Sequence, residues 1–182
     1  MNPRNVTFTL TLVAGLIFDQ LTKAWVVANL ELSVSEVDII PGWLSLVHAQ
    51  NTGAAFSTME GALPLFLVFT VIAVVVILDL VRRQAPDLRM IPLSLGMILA
   101  GAVGNGIDRA RLGYVTDFVK VYAGEEPLRS WFIQSRFGTN VWPIFNVADS
   151  LLLVGVTLFG LYWLLLRDPE VQPDDEAEPA SP

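Results

Sequence analysis

The sequence predicts a mainly α-helical membrane protein, with four spanning helices and a small β-sheet at one membrane surface. Three observations carry this expectation. First, 53% of the 182 residues are hydrophobic and only 16% are charged, too apolar a balance for a soluble domain of this length. Second, the apolar residues fall into four runs, about 6–30, 62–81, 90–107 and 144–166, close to the roughly 20 residues that cross a hydrocarbon core. Third, residues 31–61 contain no Lys or Arg and carry turn signals at Pro41-Gly42 and Asn51-Thr52-Gly53, which flank the partly alternating WLSLVHAQ. Residues 1–166 then form one membrane domain, and 167–182 an acidic, disordered cytoplasmic tail.

The first run begins after Arg4 and is interrupted by Asp19, Gln20 and Lys23. A basic residue before an apolar core also suits a cleaved signal peptide, but this core leads into DQLTKAW and not into a small-residue cleavage site. It therefore reads as an uncleaved span. Asp19 and Lys23 are four apart with the acid N-terminal, so they share a face and read first as an ion pair that orients the helix. The second run ends at Arg82 and Arg83, and Asp79 reads as an interfacial charge beside them. In the third run Gly96, Ala100 and Gly104 form a small-residue stripe that lets another helix approach closely. Gly101, Asn105 and Arg109 form an adjoining stripe that ends in polar groups, so this end of the helix faces protein. An Arg there can snorkel to the interface; an Asn one turn deeper on the same face equally suits a polar cavity. Residues 110–143 read as a longer polar connection with Asp117 in an extended stretch. The fourth run opens with FNVADS, where Asn146 and Asp149 share a helix face and the acid suits the positive end of the helix dipole.

Four spans put both termini on one side. Arg4, Arg82, Arg83, Arg89 and Arg167 mark that side as cytoplasmic, although Arg111, Lys120, Arg129 and Arg136 in the 110–143 connection oppose the assignment. Asp117, Asp149 and the segment with Asn51 then meet near the extracytoplasmic face. The net charge of −7, much of it in the tail, argues against nucleic acid as a partner. The absence of Cys removes disulfides, a thiol nucleophile and thiolate metal sites, and the single histidine, His48, has no ligand pattern near it. Two carboxylates that converge in a partly dry site do not both ionise easily, which supplies a general base and a general acid in one pair. Aspartyl hydrolysis without a cofactor or metal is therefore the chemistry this inventory supplies best. A proton-coupled carrier that uses the acids as a relay is one alternative, weakened by the lack of an internal repeat. A non-catalytic lipid-binding protein is the other.

Five short motifs occur in order: DQLTK at Asp19–Lys23, NTGAAF at Asn51–Phe56, GNGIDR at Gly104–Arg109, GYVTDF at Gly113–Phe118 and FNVAD at Phe145–Asp149. With them the chain resembles the signal peptidase II family, the lipoprotein signal peptidases, which are intramembrane aspartyl proteases of bacteria. Each motif alone is weak, but five in order between four apolar runs are specific. The resemblance extends to Leu166 and implies a four-helix fold with a small extracytoplasmic sheet in the bacterial inner membrane. It also implies an endopeptidase that removes the signal peptide of a diacylglyceryl-modified prolipoprotein by cutting before the lipidated Cys. On this resemblance Asp117 and Asp149 are the catalytic pair. Asn51, Gly53, Asn105, Arg109 and Asn146 lie around the substrate site, and Asp19 and Lys23 form a polar pair on the first helix. The expected partners are the prolipoprotein and membrane lipids, and the expected state is a monomer. Asp108 reads as structural. In one departure, GEEPLRSWFIQSRFGTNVWPI makes the connection before FNVAD about a dozen residues longer than is usual in the family, an insertion that loops tolerate at modest entropic cost. Its Trp131 and Phe132 suit either the membrane interface or loop packing.

Overall fold

A computed structural model describes residues 2–53, 63–83, 89–123 and 127–166. The acidic tail, residues 84–88 of the basic turn, and Ala54, Ala55 and Phe56 of NTGAAF lie outside the described residues. Helix α1 (Pro3–Asn29) starts where Asn2 accepts a hydrogen bond from the Arg4 N–H, with Pro3 at a position that needs no N–H partner. Strands β1 (Glu36–Ile40) and β2 (Leu44–Asn51) follow as an antiparallel hairpin. Helix α2 (Leu63–Arg83) contains VFTVIAVVVIL, a β-branched run that favours strands in water. In a bilayer a single segment must satisfy its own backbone groups, and only a helix does so.

Helix α3 (Met90–Leu112) leads into β3 (Val115–Val121), then α4 (Pro127–Phe137), and finally α5 (Val147–Leu161), which a π-helical turn extends over Tyr162–Leu166. Among the described residues four helices are long and apolar enough to cross a membrane: α1, α2, α3, and α5 with its π-turn. Of these α3 is central, since 61% of its most apolar window is buried against 17% for α1 and 11% for each of the others. It packs against α1, α2 and α5. Residues such as Leu10, Ile17, Phe69, Val71 and Leu153 point outward on the surrounding helices, the surface that a hydrocarbon environment accepts.

The small residues of α3 explain how three helices share it. A methyl group on Gly96 would press on Thr11 of α1, and one on Gly104 would overlap the Asp19 carboxylate of the same helix. A methyl on Gly101 would meet the backbone carbonyl of Ala148 on α5. The two adjoining stripes therefore receive two different helices.

The three strands form one antiparallel sheet with β2 in the middle. Ala49 lies opposite Asp117, and Asn51 opposite Val115. Phe118 packs with Val26 and Leu30 at the end of α1, which seats the sheet on the bundle.

The structure differs from the sequence expectation at three boundaries. The third helix runs to Leu112, past the expected end at 107, because Asp108 and Arg109 both find surroundings inside the fold. It stops at Gly113, whose φ of 82° favours glycine and whose N–H bonds to the Arg109 carbonyl. The last helix begins at Val147 and not at 144, because Asn146 caps it. Residues 110–143 hold a strand and a helix, α4, in place of a plain connection. In α4 Trp131 is 66% exposed, and Phe137 meets Trp142 edge-on at 4.8 Å. Asp79 pairs with Arg83 at 2.7 Å on an exposed surface, as an interfacial charge should.

The α3–α5 contact yields a direct expectation. Gly101→Ala drives a methyl into the Ala148 carbonyl, and overpacking of this kind costs about 1–3 kcal/mol. Thermal unfolding in detergent micelles should show a lowered midpoint; an unchanged midpoint would mean that the helices do not approach this closely.

Candidate active site

Strand β3 carries Asp117 and the first turn of α5 carries Asp149. They are joined through side-chain amides. Asn146 is the N-cap of α5: its Oδ1 accepts the Asp149 N–H at 3.0 Å, while Asp149 Oδ2 accepts the Asn146 N–H at 3.2 Å. Because the oxygen of Asn146 is committed to the helix, its Nδ2 is turned toward Asp117 Oδ1, to which it donates at 2.7 Å. Asn51 works the same way from β2. Its Oδ1 accepts the Gly53 N–H at 2.9 Å, and its Nδ2 donates to Asp117 Oδ2 at 3.0 Å. Gly53 has a φ of 81°, a backbone conformation that a side chain would strain.

Asn105 completes the set from α3. Its Oδ1 accepts from Lys23 Nζ at 2.9 Å and from Asn146 Nδ2 at 3.1 Å, and its Nδ2 donates to Asp149 Oδ1 at 2.8 Å. Lys23 is 3% exposed, and its ammonium also lies 3.1 Å from both Asp19 Oδ2 and Asp108 Oδ2. Its three N–H groups thus have three acceptors. Asp19 Oδ1 accepts the Ala148 N–H at 2.9 Å, and Asp108 Oδ2 accepts the Thr116 N–H at 3.0 Å. The buried ion cluster therefore holds the start of α5 and the start of β3, the segments that carry the two acids.

Arg109 projects elsewhere. Its guanidinium lies 4.4 Å from the centre of the Phe66 ring on α2, a cation–π contact. Together with Asn105, Asp149 and Phe66 it lines a cavity of about 330 Å³ among α2, α3 and α5.

Of the residues singled out in the sequence, Asp117, Asp149, Asn51, Asn105 and Asn146 share one hydrogen-bonded net. Asp19 and Lys23 join it through Asn105, Gly53 contributes a backbone N–H, and Arg109 faces the cavity. Asp108 sits in the ion cluster, in keeping with its structural reading. Gln20, which donates to Asp19 and Asp108, and Phe66, the partner of Arg109, carried no signal of their own. The amide of Gln20 lies inside a motif without a distinctive spacing, and Phe66 is one aromatic among many in an apolar span. His48 contacts the Leu30 carbonyl at 3.0 Å and takes no part in the net. Among the described residues no group of three or more His, Asp or Glu is arranged to hold a metal ion.

Burial pushes the Asp117 carboxyl up from the usual carboxylate range to about 6. Desolvation is the main cause and the charge of Asp149 adds to it, while the hydrogen bonds from Asn51 and Asn146 and the charge of Lys23 pull the other way. A carboxyl with that pKa exchanges a proton near neutral pH.

Two amide-bridged acids, one of them lining a cavity, within a bundle of four membrane-length helices suit a membrane enzyme. The fold is similar to two solved structures of bacterial membrane enzymes. One has 28% identity and a TM-score of 0.74, covering 88% of this chain and 94% of the other. The second has 29% identity and a TM-score of 0.70, covering 91% and 94%. Residues 11–165 match the family described as signal peptidase (SPase) II. The lipoprotein signal peptidase of Geobacter metallireducens is 38% identical over 178 residues, 96% of this chain and 99% of that protein. That of Enterococcus faecalis is 42% identical over 154 residues, 85% of this chain and 84% of that protein. The chain belongs to the signal peptidase II family, and it is a multi-pass membrane peptidase.

Asn51 provides a test of the electrostatics. Asn51→Ala removes an N–H that favours the ionised form of Asp117, so the carboxyl should titrate above its value of about 6. Carbon-detected NMR of labelled aspartate reads this directly. A downward move would contradict the assigned hydrogen bond.

Proposed function

We propose that this protein is an aspartic endopeptidase that removes the signal peptide from diacylglyceryl-modified prolipoproteins, cutting just before the lipidated Cys. The observation that carries the reading is the pair of acids bridged by Asn146, one of which, Asp149, lines a cavity among the membrane helices. Family membership supports the substrate class. In this reading the diacyl chains stay in the bilayer, and the signal segment enters the cavity among α2, α3 and α5.

Asp117 and Asp149 divide the chemistry. Asp117, buried in the sheet with a raised pKa of about 6, holds the shared proton. Asp149 accepts two N–H groups in the first turn of α5, where the helix dipole favours negative charge, and acts as the carboxylate. It takes a proton from water as the water oxygen bonds to the scissile carbonyl carbon, and Asp117 gives its proton to the carbonyl oxygen. The product is a neutral tetrahedral diol, with Asp149 protonated and Asp117 ionised. Collapse returns the diol proton to Asp117 and passes the proton of Asp149 to the amide nitrogen, which leaves as the new N-terminus. No cofactor or metal enters these steps. The net of amides fixes both carboxylates before substrate arrives, the kind of preorganisation that lowers a barrier.

The orientation follows from charge. The Arg4 side chain bonds to the Arg82 carbonyl at 3.1 Å, which gathers basic residues at one end of the bundle. That end faces the cytoplasm by the positive-inside rule, so both termini are cytoplasmic and the acids lie toward the extracytoplasmic side of the bacterial inner membrane. One chain supplies all of these groups, consistent with a working monomer.

Two measurements test the proposal. Cleavage of a purified diacylated prolipoprotein should fall by about 10²- to 10⁴-fold in Asp117→Asn and in Asp149→Asn. Near-normal cleavage in either variant would remove that acid from the pair. Because the protonated fraction of Asp117 declines as pH rises through about 6, kcat/KM should have an alkaline limb, with the apparent value belonging to the coupled pair. A rate that climbs steadily from pH 5 to 9 would reverse the assigned roles.

A further inference from the structure

Three asparagines point their Nδ2 groups at the two acids, and each is held by what its oxygen accepts. For Asn51 and Asn146 the anchor is a backbone N–H, from Gly53 and Asp149. Asn105 differs. Its oxygen is held by a side-chain cation, the Lys23 ammonium at 2.9 Å, and by the amide of Asn146 at 3.1 Å. An amide turned by 180° exchanges its oxygen and its NH₂ in nearly the same volume. With Lys23 in place, that turn would set NH₂ against an ammonium and the oxygen against the Asp149 carboxylate, two repulsions in a buried site.

We propose that Lys23 is a positioning residue for Asp149, acting through Asn105, whose amide it locks with the N–H toward the carboxylate. The proposal rests on the reading of Asp117 and Asp149 as the catalytic pair, and gives the polar residue of α1 a task beyond neutralising Asp19 and Asp108. The chain of contacts is continuous: Lys23 Nζ to Asn105 Oδ1 at 2.9 Å, then Asn105 Nδ2 to Asp149 Oδ1 at 2.8 Å. The other two ammonium protons are taken by Asp19 and Asp108 on α1 and α3, so the nitrogen itself cannot swing away from Asn105. Lys23 does not line the cavity that Asp149 shares with Arg109 but borders a separate one with Gln20, Asp108 and Arg111, so the test reads the chemical step and substrate binding separately.

The test is a double-mutant cycle on single-turnover cleavage by the full chain in lipid nanodiscs, with a diacylated prolipoprotein as substrate. Lys23→Met alone leaves two buried carboxylates without a cation, so the change is made together with Asp108→Asn. This keeps the cluster at the one net negative charge of the unaltered chain, and the unaltered chain and Asp108→Asn alone both serve as references. With Asn105 present, loss of Lys23 should lower the cleavage rate on the order of 10²-fold, as misplacement of a catalytic group does, with substrate affinity unchanged. With Asn105→Ala, the same loss of Lys23 should change the rate by less than about 2-fold, since the two then act as one unit. Equal losses in both backgrounds would overturn the proposal and leave Lys23 a structural ion-pair partner. A second readout does not depend on residual activity: the side-chain amide NMR signals of Asn105 should shift and broaden when Lys23 is replaced, and unchanged signals would also overturn it. If instead Asp117→Asn and Asp149→Asn still cleave, the catalytic reading fails while the amide readout remains informative about Lys23.

Discussion

The orientation of three side-chain amides is the constraint on which the rest of the site depends. A carboxylate accepts hydrogen bonds from any side, so a buried pair of acids is defined by the donors around it. Here each of the three amide donors is an NH₂ whose direction is set at the far end of the same group: Asn51 by the Gly53 backbone, Asn146 by the α5 N-terminus, Asn105 by Lys23. A wrongly turned amide would place oxygen against oxygen in a site where Asp117 is 2% exposed and Asn146 is fully buried. Such a mismatch is costly where water cannot relieve it. The acids are therefore held in place by donors that have no alternative.

Beneath the amides lies the buried cluster of Asp19, Lys23 and Asp108. Buried ion pairs are weak contributors to net stability, because desolvation offsets most of the attraction. Their value here is geometric. Asp19 reaches the N–H of Ala148, immediately before Asp149, and Asp108 reaches the N–H of Thr116, immediately before Asp117. Two carboxylates on α1 and α3 thus grip the backbone next to each acid. The grip needs helices in close contact, and Gly104 supplies it by leaving room for the Asp19 carboxylate.

The two acids sit in different local structures. Asp117 belongs to a strand seated over the end of α1, whereas Asp149 belongs to the first turn of a helix, inside its capping box. Desolvation dominates for the strand residue and raises its proton affinity, whereas the other acid is part of a helix N-terminus. A bundle that crosses the bilayer and a sheet at its surface together create this asymmetry.

Much of this was legible in the residues alone. Four apolar runs are read from hydropathy, and the lipid environment then forces them to be helices, even the Val- and Ile-rich α2. The stripes Gly96, Ala100, Gly104 and Gly101, Asn105, Arg109 announced close helix packing and a polar helix end. The motifs single out Asp117 and Asp149, which the fold joins through Asn146. Helix ends are less legible, because the turn of Gly113 and the cap of Asn146 act only once their partners are present. Helix α4 was hidden in a connection of mixed character, and Phe66 in a span where each aromatic looks like any other. The class of environment, the number of spans and the chemical inventory can be read from the residues, since these depend on local composition and spacing. That α3 lies at the centre, that its two stripes face different helices, and that Lys23 reaches Asn105, 82 residues away, emerges only when the helices pack. Those outcomes depend on helix rotation and on which amide atom meets which partner, and neither is encoded in the periodicity of any one segment.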